Sequence, residues 1–234
     1  MNAIVTKQAS ELLQKVNGFS SVNGEGIVSQ VERKSLLLLL WIPYLNLQKT
    51  GTADELLDGA ISSLREVAAC AGLGLIRPAL LAMRTEIDLM LSWLYFKDHH
   101  VEWHYVNNTG DGFKLKKEIL EYFLKYYKDF GFRFGILKDI VTRTEIDPYR
   151  LLSAHIHSQS LATLPCVYDL KDIVGEKKIL GEIPSLAHNV DEYISDILFA
   201  TFDKSWTQLP PALLQSVRSR FKTKPQENNF FNGK

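Results

Sequence analysis

The stretch Asp147-Pro148-Tyr149-Arg150-Leu151-Leu152-Ser153-Ala154-His155-Ile156-His157-Ser158 decides how the chain is read. Asp147 followed by Pro148 predicts a helix start. The carboxylate accepts from free N–H groups, and proline at the first helical position gives up no hydrogen bond. In a helix running on from there, residues three, four and seven apart share a face. Arg150, Ser153, Ala154 and His157 then form one stripe. Leu151, Leu152, His155 and Ile156 are spread over the rest of the circumference, with the leucines towards a core. An arginine two turns before a histidine presents a phosphate clamp beside a proton acceptor.

Working outward, Pro78 to Lys97 places Leu80, Met83, Ile87, Leu91 and Leu94 at helical spacing, with Arg84 and Asp88 four apart on another flank. Gly72, Gly74 and Pro78 interrupt a helical pattern that starts near Asp54, which predicts two helices, or one bent helix, meeting near Gly72–Arg77. Towards the N-terminus, 4–17 predicts a short amphipathic helix, broken by the Ser/Asn/Gly-rich stretch up to Gly26. Residues 27–47 predict a second helix, buried on most sides, with Pro43 as a late kink or stop. His99 to Gly112 reads as polar and ends in the clearest loop, Asn107–Gly112. Phe113 to Tyr127 predicts a helix with Leu115, Ile119, Phe123 and Tyr126/Tyr127 as its apolar stripe. Residues 161–184 are irregular, Ser185–Phe202 is helical, and Leu213–Phe221 is a last short helix. From Thr223 the tail is polar and expected to fray.

No segment keeps a period of two, so the fold class is all-α, a single helical bundle. One domain is expected over 1–234: N-terminal helices over 1–50, a core over 54–160, and C-terminal helices and tail over 161–234. The 234 residues suffice for a buried core, and 46% apolar with 23% charged residues is ordinary for a soluble chain. Formal net charge is zero, so polyanion binding requires a local patch. Cys70 and Cys166 form no metal or disulfide framework and read as small buried hydrophobes in a reducing compartment. The apolar run Ser35–Leu47 is too short to span a bilayer, and no basic-then-apolar leader opens the chain. A cytoplasmic protein without membrane contact is the expectation.

The chemistry that calls for Arg150 with His157 is cleavage of a phosphodiester by its own 2′-hydroxyl. Neutral histidine accepts that proton near neutral pH. A guanidinium holds the non-bridging oxygens as charge builds on phosphorus. No metal or other cofactor is needed. Ser153 offers a donor to phosphate and Tyr149 a ring for stacking on a base. The competing reading is structural, with Arg150 in a salt bridge and His157 a partly buried hydrogen bonder.

Two weaker candidates exist. His100 and His104, four apart, with His99 or Glu102, form a partial metal-ligand set that lacks the HExxH order. Lys114, Lys116, Lys117, Lys125 and Lys128, followed by Arg133, Lys138 and Arg143, make a basic aromatic face. Over 111–160, however, nine Lys/Arg stand against seven Asp/Glu, so a solvated helix face explains it as well. Arg218, Arg220, Lys222 and Lys224 form a second small basic cluster. No Walker loop, GxGxxG or GxSxG elbow occurs.

The segment from Tyr149 to His157 resembles the signature helix of HEPN-like proteins, whose mark is an arginine followed after four to six residues by a histidine. Both spacings occur, Arg150 to His155 and Arg150 to His157. Arg84 and Asp88 resemble the arginine–acid helix of bacterial HEPN-like defence proteins. The resemblance covers about 54–160 and departs from active members at Leu151, where they carry a polar residue. It implies a helical bundle, commonly a homodimer, and in active members metal-independent RNA cleavage by toxins or abortive-infection proteins. Arg150 then stabilises the phosphorane, His157 or His155 acts as general base or acid, and Arg84 and Asp88 orient the helix. His157 shares Arg150's face, whereas a helix that ends early favours His155. The alternative is a non-catalytic adaptor or regulatory subunit, docking a protein partner or antitoxin through aromatic surfaces.

Overall fold

The computed structural model describes residues 2–175, 180–202 and 206–232. Among these the chain is all-helical, with no strand beyond an isolated bridge between Leu75 and Val174. Among the described residues no helix is long and apolar enough to cross a membrane. The helices are α1 (Asn2–Phe19), α2 (Glu25–Lys34), α3 (Leu36–Leu47), α4 (Asp54–Gly72), α5 (Ile76–Phe96) and α6 (His100–Thr109). Next come α7 (Lys116–Tyr126), α8 (Phe130–Asp139), α9 (Pro148–Ile156), α10 (Ile183–Thr201), α11 (Pro211–Arg218) and α12 (Lys224–Asn232).

The helices α4 and α5 form a hairpin, and α10 lies against α2, α3, α5, α8 and α9. On α5 the predicted residues Leu80, Met83, Ile87, Leu91 and Leu94 are all buried. Gly74 makes the turn before α5 with φ of +78°. A Cβ there would lie 2.8 Å from the Phe19 ring. Only glycine satisfies both demands.

Several elements differ from the sequence reading. The polar stretch after residue 17 does not break the helix. A π-turn over Ser20–Gly24 carries α1 into α2, and Gly24 brings α2 against the backbone of Gly72. The break falls instead at Ser35, so 27–47 is two helices, and α3 runs through Pro43 to Leu47. The polar stretch after His99 is helical as α6 and closes at Gly110 in the left-handed region. On α7, Ile119 and Phe123 are buried but Leu115 and Tyr126 are exposed. The tail expected to fray forms α12, because Phe230 reaches the core and packs 5.4 Å from the rings of Trp206 and Phe221. Cys70 is half-buried, with its thiol pushed up by burial, and Cys166 is exposed rather than buried. Of the irregular stretch 161–184, positions 176–179 lie outside the described residues.

From Asn189 to Thr201 every residue of α10 is buried, polar ones included. Asn189, Glu192 and Asp196, spaced three and four apart, face the segment 142–144. The Glu192 carboxylate accepts from the backbone N–H of Thr142 (2.8 Å) and of Arg143 (2.6 Å), and from the Thr142 hydroxyl (3.0 Å). Asn189 Oδ1 accepts from the Thr144 N–H at 3.1 Å. Asp196 pairs with Arg143 at 2.5 Å and with Arg220 at 2.6 Å, all three nearly free of solvent. On another face Asp191 accepts from Leu37 and Leu38, at 3.3 and 2.7 Å. It thereby caps α3, which has no side-chain cap of its own.

Burial pushes the Asp191 carboxyl up to about 8 against those two donors, and pushes buried Glu86 of α5 well above the carboxylate range, aided by the Asp191 charge. A carboxyl raised in the folded state holds its proton more tightly there than in the unfolded chain. Stability therefore falls as pH rises from the ordinary 3.8 of an aspartate towards about 8. Buried Asp196, also raised by burial, adds to the fall, and half-buried His188, lowered by desolvation, opposes it as one group against three. The Tm is expected to drop between about pH 5 and pH 8, and Glu86→Gln, which spares the α3 cap, to flatten the drop. A Tm that rises over that window in the unmodified protein contradicts the assignment. Phe230→Ala is expected to cost about 3–5 kcal/mol in urea unfolding, where a frayed tail would cost none.

Candidate functional site

The site is built on α9 and the face of α5 beneath it. Asp147 is the N-cap of α9, with Pro148 in the first turn, as the sequence predicts. Its carboxylate receives the Lys116 ammonium of α7 at 2.7 and 2.8 Å. It also accepts from the Arg150 N–H at 3.4 Å. The segment that delivers Asp147 is the one bonded to α10 by Glu192 and Asn189, so the start of α9 is fixed from two sides.

Arg84 organises the α5 side. It pairs with Asp88 one turn on. Across the interface its Nε donates to Ser153 Oγ at 2.9 Å, and its Nη2 donates to the Tyr149 hydroxyl. The guanidinium carbon lies 3.4 Å from the centre of the Tyr149 ring, and Lys116 Nζ lies 4.4 Å from that centre. Tyr149 is thus held by two cations, an arrangement favoured by the negative face of the ring. Burial lowers the Arg84 pKa and raises that of Tyr149. A phenol raised in this way is a poor proton donor or acceptor near neutral pH. Tyr149 and Ser153 face α5 and fix α9 upon it.

Arg150 and His157 are different. Both are exposed. Among the described residues neither side chain has a hydrogen bond or ion pair, so the salt bridge that the structural reading required for Arg150 is not made. The α-helix ends at Ile156 and His157 is its C-cap, but the His157 N–H still donates to the Ser153 carbonyl at 2.9 Å. The helical offset therefore persists to 157, and the two side chains leave the same flank, about 20° apart by helical rotation. Ser158 then turns the chain with φ of +50°.

His155 leaves α9 about 140° from Arg150. It lines a cavity of about 260 Å³ together with Arg77, Pro78, Leu80, Leu81 and Ile156. Arg77 donates to the Ile156 carbonyl at 3.4 Å and to the Thr163 carbonyl at 3.3 Å, closing the C-terminal end of α9. The sequence reading passed over Arg77. Its signal was the spacing of seven from Arg84, which puts two arginines on one face of α5.

No family model, curated protein or solved structure matches this chain. The likeness to HEPN-like proteins therefore stands on the motif in α9 and on Arg84 with Asp88.

The weaker candidates do not assemble into sites. His99 stacks on Tyr95 at 4.2 Å and its Nδ1 meets the Tyr95 carbonyl. His104 meets Asn108 at 3.1 Å, and Glu102 is taken by Lys114 and by the Tyr95 hydroxyl. Among the described residues no three His, Cys, Asp or Glu side chains converge as metal ligands. The basic face does not run on past α7. Arg133 is buried and donates to the Phe230 carbonyl, and Arg143 is buried against Asp196. In the C-terminal cluster Arg220 serves Glu192 and Asp196, while Arg218 and Lys224 meet Glu227.

Replacing Arg84 by methionine strands Asp88 and removes the hold on Tyr149 and Ser153. It is expected to lower unfolding free energy by about 1–3 kcal/mol. Arg150→Met, on the free flank, is expected to change it by less than about 0.5 kcal/mol. Chemical denaturation of the two variants measures the contrast.

Proposed function

We propose that the chain is a HEPN-like, metal-independent ribonuclease of toxin or antiphage-defence type, acting in the cytoplasm. The observation that carries this reading is the division of labour on α9. Tyr149 and Ser153 are spent on Arg84, whereas Arg150 and His157 share an exposed flank and have no side-chain partner among the described residues. A guanidinium free of carboxylates is available to the non-bridging oxygens of a phosphodiester. An exposed imidazole takes the proton of the 2′-hydroxyl and returns one to the leaving oxygen. Arg84 and Asp88 are positioning residues in this scheme, acting through Tyr149 and Ser153. A homodimer with two α9 flanks facing each other would double the positive charge at the RNA.

One observation favours a second reading, a non-catalytic adaptor. Every described side chain of α1 is exposed or half-buried, including Ile4, Val5 and Leu13. The helix is held mainly at the turn after Tyr168, through Gln8 to Asp169 and Glu11 to Lys171. An apolar edge of this kind suits a protein partner or antitoxin.

The test is RNA cleavage by the purified protein with a chelator present. Arg150→Ala and His157→Ala are each expected to slow cleavage by about 100-fold or more with unchanged thermal stability. Full activity in both variants rejects the assignment. Absence of cleavage by the unmodified protein, with a partner co-purifying on α1, favours the adaptor.

A further inference from the structure

The imidazole of His157 has no side-chain partner among the described residues, so the backbone beneath it decides where it stands. That backbone is the end of α9. The His157 N–H still reaches the Ser153 carbonyl at 2.9 Å, but the carbonyls that follow have no donor within the helix. The Ala154 carbonyl receives the Gln159 N–H at 3.1 Å, from beyond the turn. Between these two donors Ser158 takes the left-handed conformation, with φ of +50°. Helices commonly close in this way with glycine at the left-handed position. Serine brings a Cβ against the following carbonyl there, so the turn is strained unless something outside it holds it.

Arg77 supplies that hold. Its neighbours on α5, Ile76, Ala79 and Leu80, are buried, so the root of its side chain is fixed. Its Nη2 donates to the Ile156 carbonyl at 3.4 Å and its Nη1 to the Thr163 carbonyl at 3.3 Å. Ile156 is the last residue of α9, and Thr163 closes the short 3-10 turn Leu161–Thr163. One guanidinium thus ties both ends of the loop 157–162, whose first residue is His157. The far end is locked in turn, because the Ser160 N–H donates to Thr163 Oγ1 at 3.0 Å and that hydroxyl to the Ser160 carbonyl at 2.9 Å. The cation also stands at the negative end of the α9 dipole.

We propose that Arg77 is a positioning residue for His157, acting through the turn at Ser158. Its effect on cleavage rests on the nuclease reading above, whereas its hold on the turn does not. A displacement of about 1 Å at a reacting group costs about 100-fold in rate. Arg150, which grips the RNA in that reading, lies two turns from the clamp. Loss of Arg77 therefore slows the chemical step and leaves substrate binding in place.

Amide exchange and RNA-cleavage kinetics of the full chain test the assignment. Arg77→Met is expected to speed exchange of the His157 and Gln159 amides at least about tenfold, with α4 and α5 keeping their protection. It is expected to lower kcat at least about tenfold and to leave KM within about twofold. Arg77→Lys, with a compact ammonium in place of the planar fork, is expected to fall between Arg77→Met and the unmodified protein. Adding Ser158→Gly to Arg77→Met is expected to restore part of kcat, because glycine takes the left-handed turn without strain. Unchanged exchange in both Arg77 variants overturns the hold on the turn, whether or not the protein cleaves RNA. Faster exchange with unchanged kcat overturns the positioning role. No recovery on adding Ser158→Gly overturns it as well, since Arg77 then acts on the substrate and not through the turn. Faster exchange in the Arg77 variants of a protein that cleaves no RNA in its unmodified form keeps the hold on the turn and removes the nuclease.

Discussion

Three buried acids on α10 hold the structure to one arrangement. Asp191 receives the free N–H groups at the start of α3. Glu192 receives those of Thr142 and Arg143. Asp196 receives two arginines, from the α8–α9 connection and from just beyond α11. Each of these groups would be costly to bury alone, because a low-polarity interior does not replace the water it loses. Met together, they leave few alternatives for the route of the chain. The segment before α9 has no regular structure of its own, and its path is set by acceptors on α10.

That constraint divides α9 into a fixed side and a free side. Arg84, pinned by Asp88, engages Tyr149 and Ser153, and Lys116 approaches the same ring from α7. Asp147 both caps the helix and neutralises Lys116. The polar groups on this side are consumed in placing the helix. The adjacent flank carries Arg150 and His157 into solvent, and rigid support behind free polar groups is what a site for a charged, extended substrate requires. The end of the helix is separately closed by Arg77, which leaves an apolar recess beside His155.

The fold class, the α9 start at Asp147-Pro148 and the buried stripe of α5 were legible because local signals decide them. The spacing of Leu80, Met83, Ile87, Leu91 and Leu94 needs no knowledge of the rest of the chain. What the sequence concealed depends on tertiary partners. The start of α3 has no cap of its own, since Asp191 supplies one from more than 150 positions away. The helix α10 was legible as a helix, yet its polar residues from Asn189 on are buried against groups that no periodicity announces. The helix α12 reads as a tail because its anchor is a lone pair of phenylalanines in a polar segment. Of the site, the residues on α9 with Arg84 and Asp88 were legible from spacing. Arg77 and the cavity were not, because they arise only where two helices meet. The basic face of α7 was misleading, since its apparent continuation at Arg133 and Arg143 is consumed inside the protein.

The central claim is that acceptors on α10 hold α9 in place. Amide hydrogen exchange of Glu192→Ala against the unmodified protein tests it most directly. The account predicts faster exchange confined to residues 140–156, with α4 and α5 keeping their protection. Unchanged exchange over 140–156, or an equal loss of protection in every helix, would contradict it.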